Sequence, residues 1–277
     1  MPDWPLSGGS GTETGGITVA ASTGAAVAAA ATTNTKGAWV ELIAATARDA
    51  VGLLVNAGRG HTATADFLVD LAVGAAGAEQ VLVPNLTAGN GTNLLGPGAV
   101  FIPIAVPAGT RISARCQSTV ASAISRLQVI AVYGTWSSSV PHGVCTAYGA
   151  NTADSGGVTV DPGAVANTKG AWSQIVASTS RPCRAVIIGI GNQANSARSV
   201  NTDWLLDIAL GGAGAETSII SDLHIECSTV DDIATPQWVG SLPIDIPAGT
   251  RLAARSQASA VTDANDRLFD VIIYGLD

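Results

Sequence analysis

Charged side chains are scarce in this chain. Lys, Arg, Asp and Glu together make up 12% of the 277 residues, about half of the ~25% found in an average soluble domain. A free monomer depends on surface charge to stay in solution. The shortage therefore predicts that neighbouring subunits cover much of the surface and that the protein is a homo-oligomer.

Two further absences narrow the choice of partner. The net charge is −8 and the 13 Lys and Arg residues are scattered, whereas nucleic-acid binding requires a positive footprint. No apolar run approaches the ~18 residues that a membrane span needs, and no basic segment followed by an apolar one begins the chain. We therefore expect no nucleic-acid partner, no membrane association and no signal peptide.

Cysteine and histidine are also few, with four and three residues. No His/Cys pair has metal-ligand spacing, so neither a metal nor another cofactor is predicted. The cysteines do not recur between the two copies of the repeat described next, which favours buried or incidental free thiols in a reducing compartment. The alternative is a disulfide between subunits through Cys145.

An internal repeat dominates what is present. Four blocks occur twice in the same order: residues 34–39 and 167–172, 66–74 and 203–211, 107–111 and 247–251, and 126–134 and 267–275. Such a repeat identifies a duplicated structural unit. It predicts a flexible arm over residues 1–14, a first domain over 15–136, a linker over 137–150 and a second domain over 151–277.

The second block predicts a β-strand in each copy. Phe67, Val69 and Leu71 alternate with Asp66 and Asp70, and this period of two is typical of a strand with one face on the core. Further β-branched runs between Gly and Pro give about eight strands per copy. We predict an all-β protein with two tandem antiparallel β-sandwich, jelly-roll-like domains related by internal duplication.

The most regular carboxylates are Asp66, Asp70, Asp203 and Asp207. Two residues four apart on a strand are about 13 Å apart, whereas the paired carboxylates of glycosidases lie roughly 5–9.5 Å apart. We therefore expect these carboxylates to lie on the outer sheet face and to pair with arginines of nearby strands, and we predict no catalytic residue and no enzyme activity. The arginines are Arg111, Arg115, Arg251 and Arg255.

Tryptophans offer the other candidate contacts. Trp39 and Trp172 recur after the same Asn-Thr-Lys-Gly sequence, which favours packing or interface anchoring over sugar stacking. Trp4, Trp136 and Trp238 do not recur and are predicted to contact a partner protein or a glycan.

The chain resembles virion structural proteins of tailed bacteriophages. The resemblance rests on the Pro-Ala-Gly-Thr-Arg block before a small-residue strand that carries Arg, and on a closing strand that ends in Tyr-Gly at Tyr133 and Tyr274. Similar jelly-roll modules occur in head-decoration proteins, head spikes and tail appendages. The resemblance implies a homo-oligomer, with a trimer favoured, docked on the major capsid protein or another virion protein.

These observations predict a capsid decoration or auxiliary protein, assembled in the host cytoplasm and located in the virion. The alternative is a receptor- or glycan-binding module of a tail fibre or spike that grips host surface glycans through aromatics such as Trp238. An enzyme that acts on polysaccharide is the least favoured of the three.

Overall fold

The structure is a computed structural model that describes residues 11–16, 24–58, 65–90, 97–134, 141–192, 202–225, 236–260 and 267–277. Within these ranges every regular element is a β-strand, and no helix is long and apolar enough to cross a membrane. Nine strands belong to the first half: β1 Gly11–Gly15, β2 Ala25–Ala28, β3 Val40–Ile43, β4 Ala50–Gly58, β5 Ala65–Val73, β6 Gln80–Asn90, β7 Gly98–Ile102, β8 Ile112–Ser118 and β9 Ile124–Tyr133. Nine belong to the second: β10 Cys145–Tyr148, β11 Val158–Val160, β12 Ser173–Val176, β13 Ala185–Asn192, β14 Trp204–Leu210, β15 Thr217–Ile225, β16 Gln237–Leu242, β17 Leu252–Ala258 and β18 Phe269–Leu276.

Each half is a sandwich of two antiparallel sheets. The first half has the strand orders β1-β9-β4-β7, with β2 also paired to β9, and β3-β8-β5-β6. The second half repeats them as β10-β18-β13-β16, with β11 paired to β18, and β12-β17-β14-β15. The prediction of an all-β protein with two tandem antiparallel sandwiches is confirmed.

The alternating side chains of β5 and β14 form the centre of each core. Phe67, Val69 and Leu71 are buried in the first half. Trp204 replaces Phe67 in the second half, where its ring meets Phe269 edge to face, with the centroids 5.7 Å apart. This geometry is favoured for aromatic pairs.

The segment boundaries differ from those expected at two places. Residues 11–14, predicted to belong to a flexible arm, form most of β1 and pair with β9, whereas residues 1–10 lie outside the described part of the chain. The predicted linker, 137–150, contains strand β10, which pairs with β18. The backbone groups of β1 and β10 pair with β9 and β18 at sheet edges. The Gly- and Ser-rich composition of these segments had suggested unpaired backbone instead.

The closing strands β9 and β18 carry matching sequences, but the matching residues lie on opposite faces of their sheets. Val129 and Ala131 face the core of the first half, but the residues that match them in sequence, Asp270 and Ile272, point away from the core of the second half. Val271 and Ile273 point inward instead. A shift of one residue turns every side chain of a strand to the opposite face, so the last repeated block is equivalent in sequence but not in orientation.

The shift coincides with the packing of the second half on the first. All eight residues of β18 are buried, whereas β9 alternates between buried and partly exposed residues over most of its length. The outer face of β10-β18-β13-β16 packs against β6 and β7, the edge strands on one side of the first sandwich. Ile187, Ile272 and Leu276 therefore join the hydrophobic cluster of the first half.

Candidate functional site

Two aromatic side chains of the second half cap the edge of strand β6. The Tyr274 hydroxyl accepts a hydrogen bond from the Thr87 N–H at 2.6 Å and donates one to the Asn85 carbonyl at 2.8 Å. The Trp238 indole N–H donates to the Thr87 carbonyl at 2.6 Å. Edge strands carry unpaired backbone groups that invite association, and these contacts pair three of them inside the chain.

The capping role corrects the prediction for Trp238. It was expected to contact a partner protein or a glycan, but it packs against the core of the first half. The physical reason is its indole N–H, which finds its acceptor in the Thr87 carbonyl of the same chain. Trp4 and Trp136, the other two tryptophans predicted to contact a partner, lie outside the described residues.

A buried carboxylate organises the outer surface of the first half beside this edge. Asp70 Oδ1 accepts hydrogen bonds from Lys36 Nζ at 2.8 Å and from the Asn85 N–H at 2.9 Å. Its Oδ2 accepts one from Arg115 Nε at 2.9 Å. The Arg115 guanidinium carbon lies 4.4 Å from the centre of the Trp39 ring, a cation–π contact. Lys36, Trp39, Asp70 and Arg115 are called the Asp70 cluster below.

The second half contains the same arrangement, the Asp207 cluster, made of Lys169, Trp172, Asp207 and Arg255. Lys169 Nζ and Arg255 Nε lie 2.7 Å and 3.0 Å from the two carboxylate oxygens of Asp207. Arg255 stacks on Trp172 at the same 4.4 Å. The pairing expected of Asp70 with Arg115, and of Asp207 with Arg255, is present in the structure, although both carboxylates are buried rather than exposed on an outer face. Trp39 and Trp172 pack within the chain, as surfaces for arginine.

The two clusters differ at one position. The residue whose N–H binds the central carboxylate is Asn85 in the first half and Asp222 in the second. Both have left-handed backbone conformations, with φ values of 49° and 55°. Asp222 Oδ1 lies 2.8 Å from Lys169 Nζ. Asp222 thus adds a second carboxylate beside the two cations of the Asp207 cluster, whereas the described residues place one carboxylate beside the two cations of the Asp70 cluster.

Burial and ion pairing act on these groups in opposite directions. Burial lowers the pKa of Lys36, and the nearby Asp70 carboxylate offsets only part of this effect. Burial tends to raise the pKa of Asp207, but hydrogen bonds from Lys169, from the Asp222 N–H and from Arg255 outweigh it, so the pKa of Asp207 lies below its usual value. The Asp70 carboxylate thus compensates only part of the cost of burying the Lys36 ammonium.

The remaining predicted ion-pair residues have other partners. Arg111 Nε binds Glu41 at 2.8 Å and its terminal nitrogen binds Glu79 at 3.1 Å. In the second half Arg251 binds Gln174 at 3.0 Å and Glu216 at 3.0 Å. The prediction that these two arginines pair with the aspartates of the repeated strand is wrong, because the glutamates after β5 and β14 lie closer to them.

Asp66 and Asp203 stand at the opposite end of their strands from these arginines. The N–H of Asp66 donates to Thr119 Oγ1, and the N–H of Asp203 donates to Ser259 Oγ. The Asp203 carboxylate is largely exposed and lies 4.0 Å from His224 Nε2.

A recess of about 540 Å³ opens beside the Asp70 cluster. Lys36, Arg115 and Gln117 contribute polar groups to it, Val81 contributes apolar surface, and Thr152 contributes the wall from the second half. Gln117 Nε2 donates to the Thr152 carbonyl at 2.8 Å, which fixes this wall. The recess is shallow and widely open to solvent rather than an enclosed cavity.

The sequence indicates only some of the residues that line this recess. Lys36 and Lys169 stand in the repeated Asn-Thr-Lys-Gly blocks, and their recurrence was the available signal that they pair with a recurring carboxylate. Asn85 gave no such signal, because it differs from its counterpart Asp222. Neither Gln117 nor Thr152 could be placed without the packing of the two halves.

The described cysteines are buried free thiols. Cys116, Cys145 and Cys183 are all inaccessible, and burial raises the pKa of Cys145 to about 12. The alternative in which Cys145 links two subunits is therefore wrong, because a partner thiol cannot reach its sulfur in the folded chain. Cys227 lies outside the described residues.

No protein-family model and no curated protein sequence matches the chain. Solved structures that align with the chain include PNGase F, a glycosylasparaginase from Flavobacterium meningosepticum, at 9% identity and a TM-score of 0.36, with 96% of each chain covered. A peptide-N(4)-(N-acetyl-beta-D-glucosaminyl) asparagine amidase matches at 9% identity and a TM-score of 0.38, also over 96% of each chain. A recombinant N-glycanase F matches at 10% identity and a TM-score of 0.37, over 95% of each chain.

The prediction of no enzyme activity is contradicted by the descriptions of these structures, which name a glycosylasparaginase and an asparagine amidase. At these TM-scores the alignments transfer neither a reaction nor a catalytic residue to this chain.

Proposed function

We propose that this chain is a structural protein of a tailed-phage virion, and that it docks as an oligomer on the capsid surface. The low content of charged residues supports the proposal, as does the resemblance of the repeated blocks to phage jelly-roll modules. Three chains grouped around a threefold axis would present six similar lobes to the capsid lattice. The chain would join neighbouring capsid subunits by burying apolar surface.

The observation that carries the proposal is the unequal burial of one sheet face. The outer face of β10-β18-β13-β16 is a protein-docking surface, since it is covered by the first half. The corresponding face of β1-β9-β4-β7 is partly exposed and carries Leu54, Phe101 and Ile130. A sheet face of this kind buries apolar area when another subunit covers it.

The exposed face differs from the covered one in its polar groups. Phe101 pairs with Leu54 as Trp238 pairs with Gly189, so Phe101 stands where the second half has an indole N–H. Gly52 leaves room for the Phe101 ring, whose Cζ would lie 2.4 Å from a Cβ at that position. The same face also carries the paired, partly exposed side chains of Asn56 and Gln128, but it has no indole N–H at the Phe101 position, which suits it to contact a neighbouring lobe rather than a strand edge.

The test is the oligomeric state of two substituted chains. We expect the natural chain to sediment as an oligomer, and the double variant Leu54→Glu/Ile130→Glu to sediment as a folded monomer. Val81→Glu is the matched control, because Val81 is exposed on another strand and its replacement should leave the oligomer intact. A natural chain that stays monomeric at high concentration contradicts the proposal.

Location in the particle gives a second test. The copy number per virion should match the symmetry of the capsid lattice, and density for the chain should lie on the outer capsid surface. A copy number unrelated to that lattice would exclude a capsid decoration role.

A further inference from the structure

We propose that the recess beside Lys36 and Arg115 binds the carboxylate of a small organic acid of the size of an acidic monosaccharide. The starting point is the charge of the two clusters. Lys169 and Arg255 face two carboxylates, Asp207 and Asp222. Within the described part of the chain, Lys36 and Arg115 pair with one carboxylate, Asp70, so these groups leave one positive charge uncompensated.

The second half shows how a second carboxylate is held. Asp222 Oδ1 lies 2.8 Å from Lys169 Nζ, which also binds Asp207. A lysine ammonium has three donors. Among the described residues, Lys36 Nζ has two acceptors, Asp70 Oδ1 and the Leu68 carbonyl. A carboxylate supplied from outside would therefore take the place at Lys36 that Asp222 takes at Lys169.

Room for the rest of such a ligand is provided where the two halves meet. The recess of about 540 Å³ has polar groups from Gln117 and Thr152 on one side and the apolar Val81 and Pro84 on another. A sugar ring has both hydroxyl groups and apolar C–H faces, so mixed walls suit it better than a purely apolar ligand. Ser155 Oγ donates to Asn34 Oδ1 at 2.8 Å and so joins the walls across the two halves.

The electrostatics of Lys36 agree with this assignment. Burial depresses its pKa, and a second anion would offset the cost of keeping the ammonium charged. Arg115 is held at the recess by Asp70 and the Trp39 ring. A guanidinium and an ammonium at one opening form a pair that recognises carboxylates by charge-assisted hydrogen bonds.

The experiment is a titration of the full chain with sodium glucuronate, in which binding is measured by calorimetry or by NMR chemical shifts. We expect saturable binding with one site per chain. Neutral glucose should bind at least about ten-fold more weakly, because it has no carboxylate to pair with Lys36 and Arg115. Inorganic phosphate distinguishes a carboxylate site from a general anion site. Tighter binding of phosphate than of glucuronate overturns the proposal, and so does equal binding of glucose.

Asn85→Asp is the decisive variant. It places a carboxylate at the position that Asp222 has in the second half, with the same left-handed backbone conformation. Because Asn85 Oδ1 is buried, thermal unfolding of the variant must first show a native-like transition. We expect glucuronate binding to weaken about ten-fold or more, since the new carboxylate occupies Lys36. The matched control is Asp222→Asn, which should leave binding at the recess unchanged. Unaltered affinity in Asn85→Asp, or no saturable glucuronate binding by the natural chain, overturns the proposal.

Discussion

Gly189 of the second half makes room for the side chain of Thr87 of the first half. A Cβ at position 189 would lie 2.6 Å from Thr87 Cγ2 and 2.9 Å from Tyr274 Cε2. Both neighbours are buried, so neither can move away freely. This close approach packs β6 of the first half against β13 of the second.

The first prediction follows from this contact. Gly189→Ala should lower the free energy of unfolding by about 1–3 kcal/mol, the usual cost of overpacking a core. Chemical denaturation measures it. Gly212→Ala is the control, since a Cβ there meets nothing within 4 Å. Equal stability of Gly189→Ala and the natural chain would show that the contact is not tight.

The second prediction concerns the Tyr274 hydroxyl. Tyr274→Phe leaves the Thr87 N–H and the Asn85 carbonyl without their partner at a buried interface, which should cost about 1–3 kcal/mol of unfolding free energy. Tyr148→Phe serves as the control, because the hydrogen bond from the Tyr148 hydroxyl to the Arg181 carbonyl is long, at 3.5 Å, and caps no strand edge of the other half. Thermal unfolding of both variants should rank them in that order, and the reverse order would contradict the capping role.

The third prediction is an acid limit set in part by Asp207. Its pKa in the folded chain lies below the ordinary value of 3.8, so the unfolded chain takes up the proton first as the pH falls. The stability from this carboxylate is present above about pH 4 and is lost as the pH falls through the lower, folded-state pKa. Denaturation curves between pH 7 and pH 3 measure the loss.

Asp207→Asn tests the assignment of that limit. It should lower the unfolding free energy at pH 7 by about 2 kcal/mol, because Lys169 and Arg255 lose a buried partner. It should also show a smaller further loss on acidification than the natural chain. If the two chains lose stability in parallel down to pH 3, another carboxylate sets the acid limit.

The fourth prediction concerns the thiols. Burial raises the pKa of Cys116 and that of Cys145 to about 12 and raises the pKa of Cys183, so none of them forms a reactive thiolate near neutral pH. In a Cys227→Ser background, a thiol reagent at pH 8 should modify the native protein hardly at all and the denatured protein fully. A covalent dimer on a non-reducing gel of this variant would contradict the buried placement.

The sequence was sufficient for the architecture because the strand pattern is local. The alternation around Phe67 and Trp204 depends only on which residues face the core, and both lie where it predicts. The partner of Trp238 depends on how the two halves pack, a long-range relationship that no spacing encodes. The turned closing strand was hidden for the same reason, since the matching residues Tyr133 and Tyr274 suggest a common orientation that the fold does not keep.

The candidate recess was harder to predict than the fold for a further reason. The recurring residues include Asp70 and Arg115, which pair with each other in the first half as Asp207 and Arg255 do in the second. The two clusters differ at Asn85, which corresponds to Asp222 in the second half. This difference, and not the recurring residues, leaves Lys36 without a second carboxylate partner among the described residues.

The complete burial of β18 implies that the second half depends on the first for its folding during synthesis. The ribosome releases the first half while the second is still being made, and the core of that half is built mostly from its own strands. All residues of β18 are buried, so we expect the second half to complete its folding only against the first half. We expect the C-terminal segment alone to precipitate when it is expressed without the preceding residues, and to be rescued when the N-terminal segment is supplied with it.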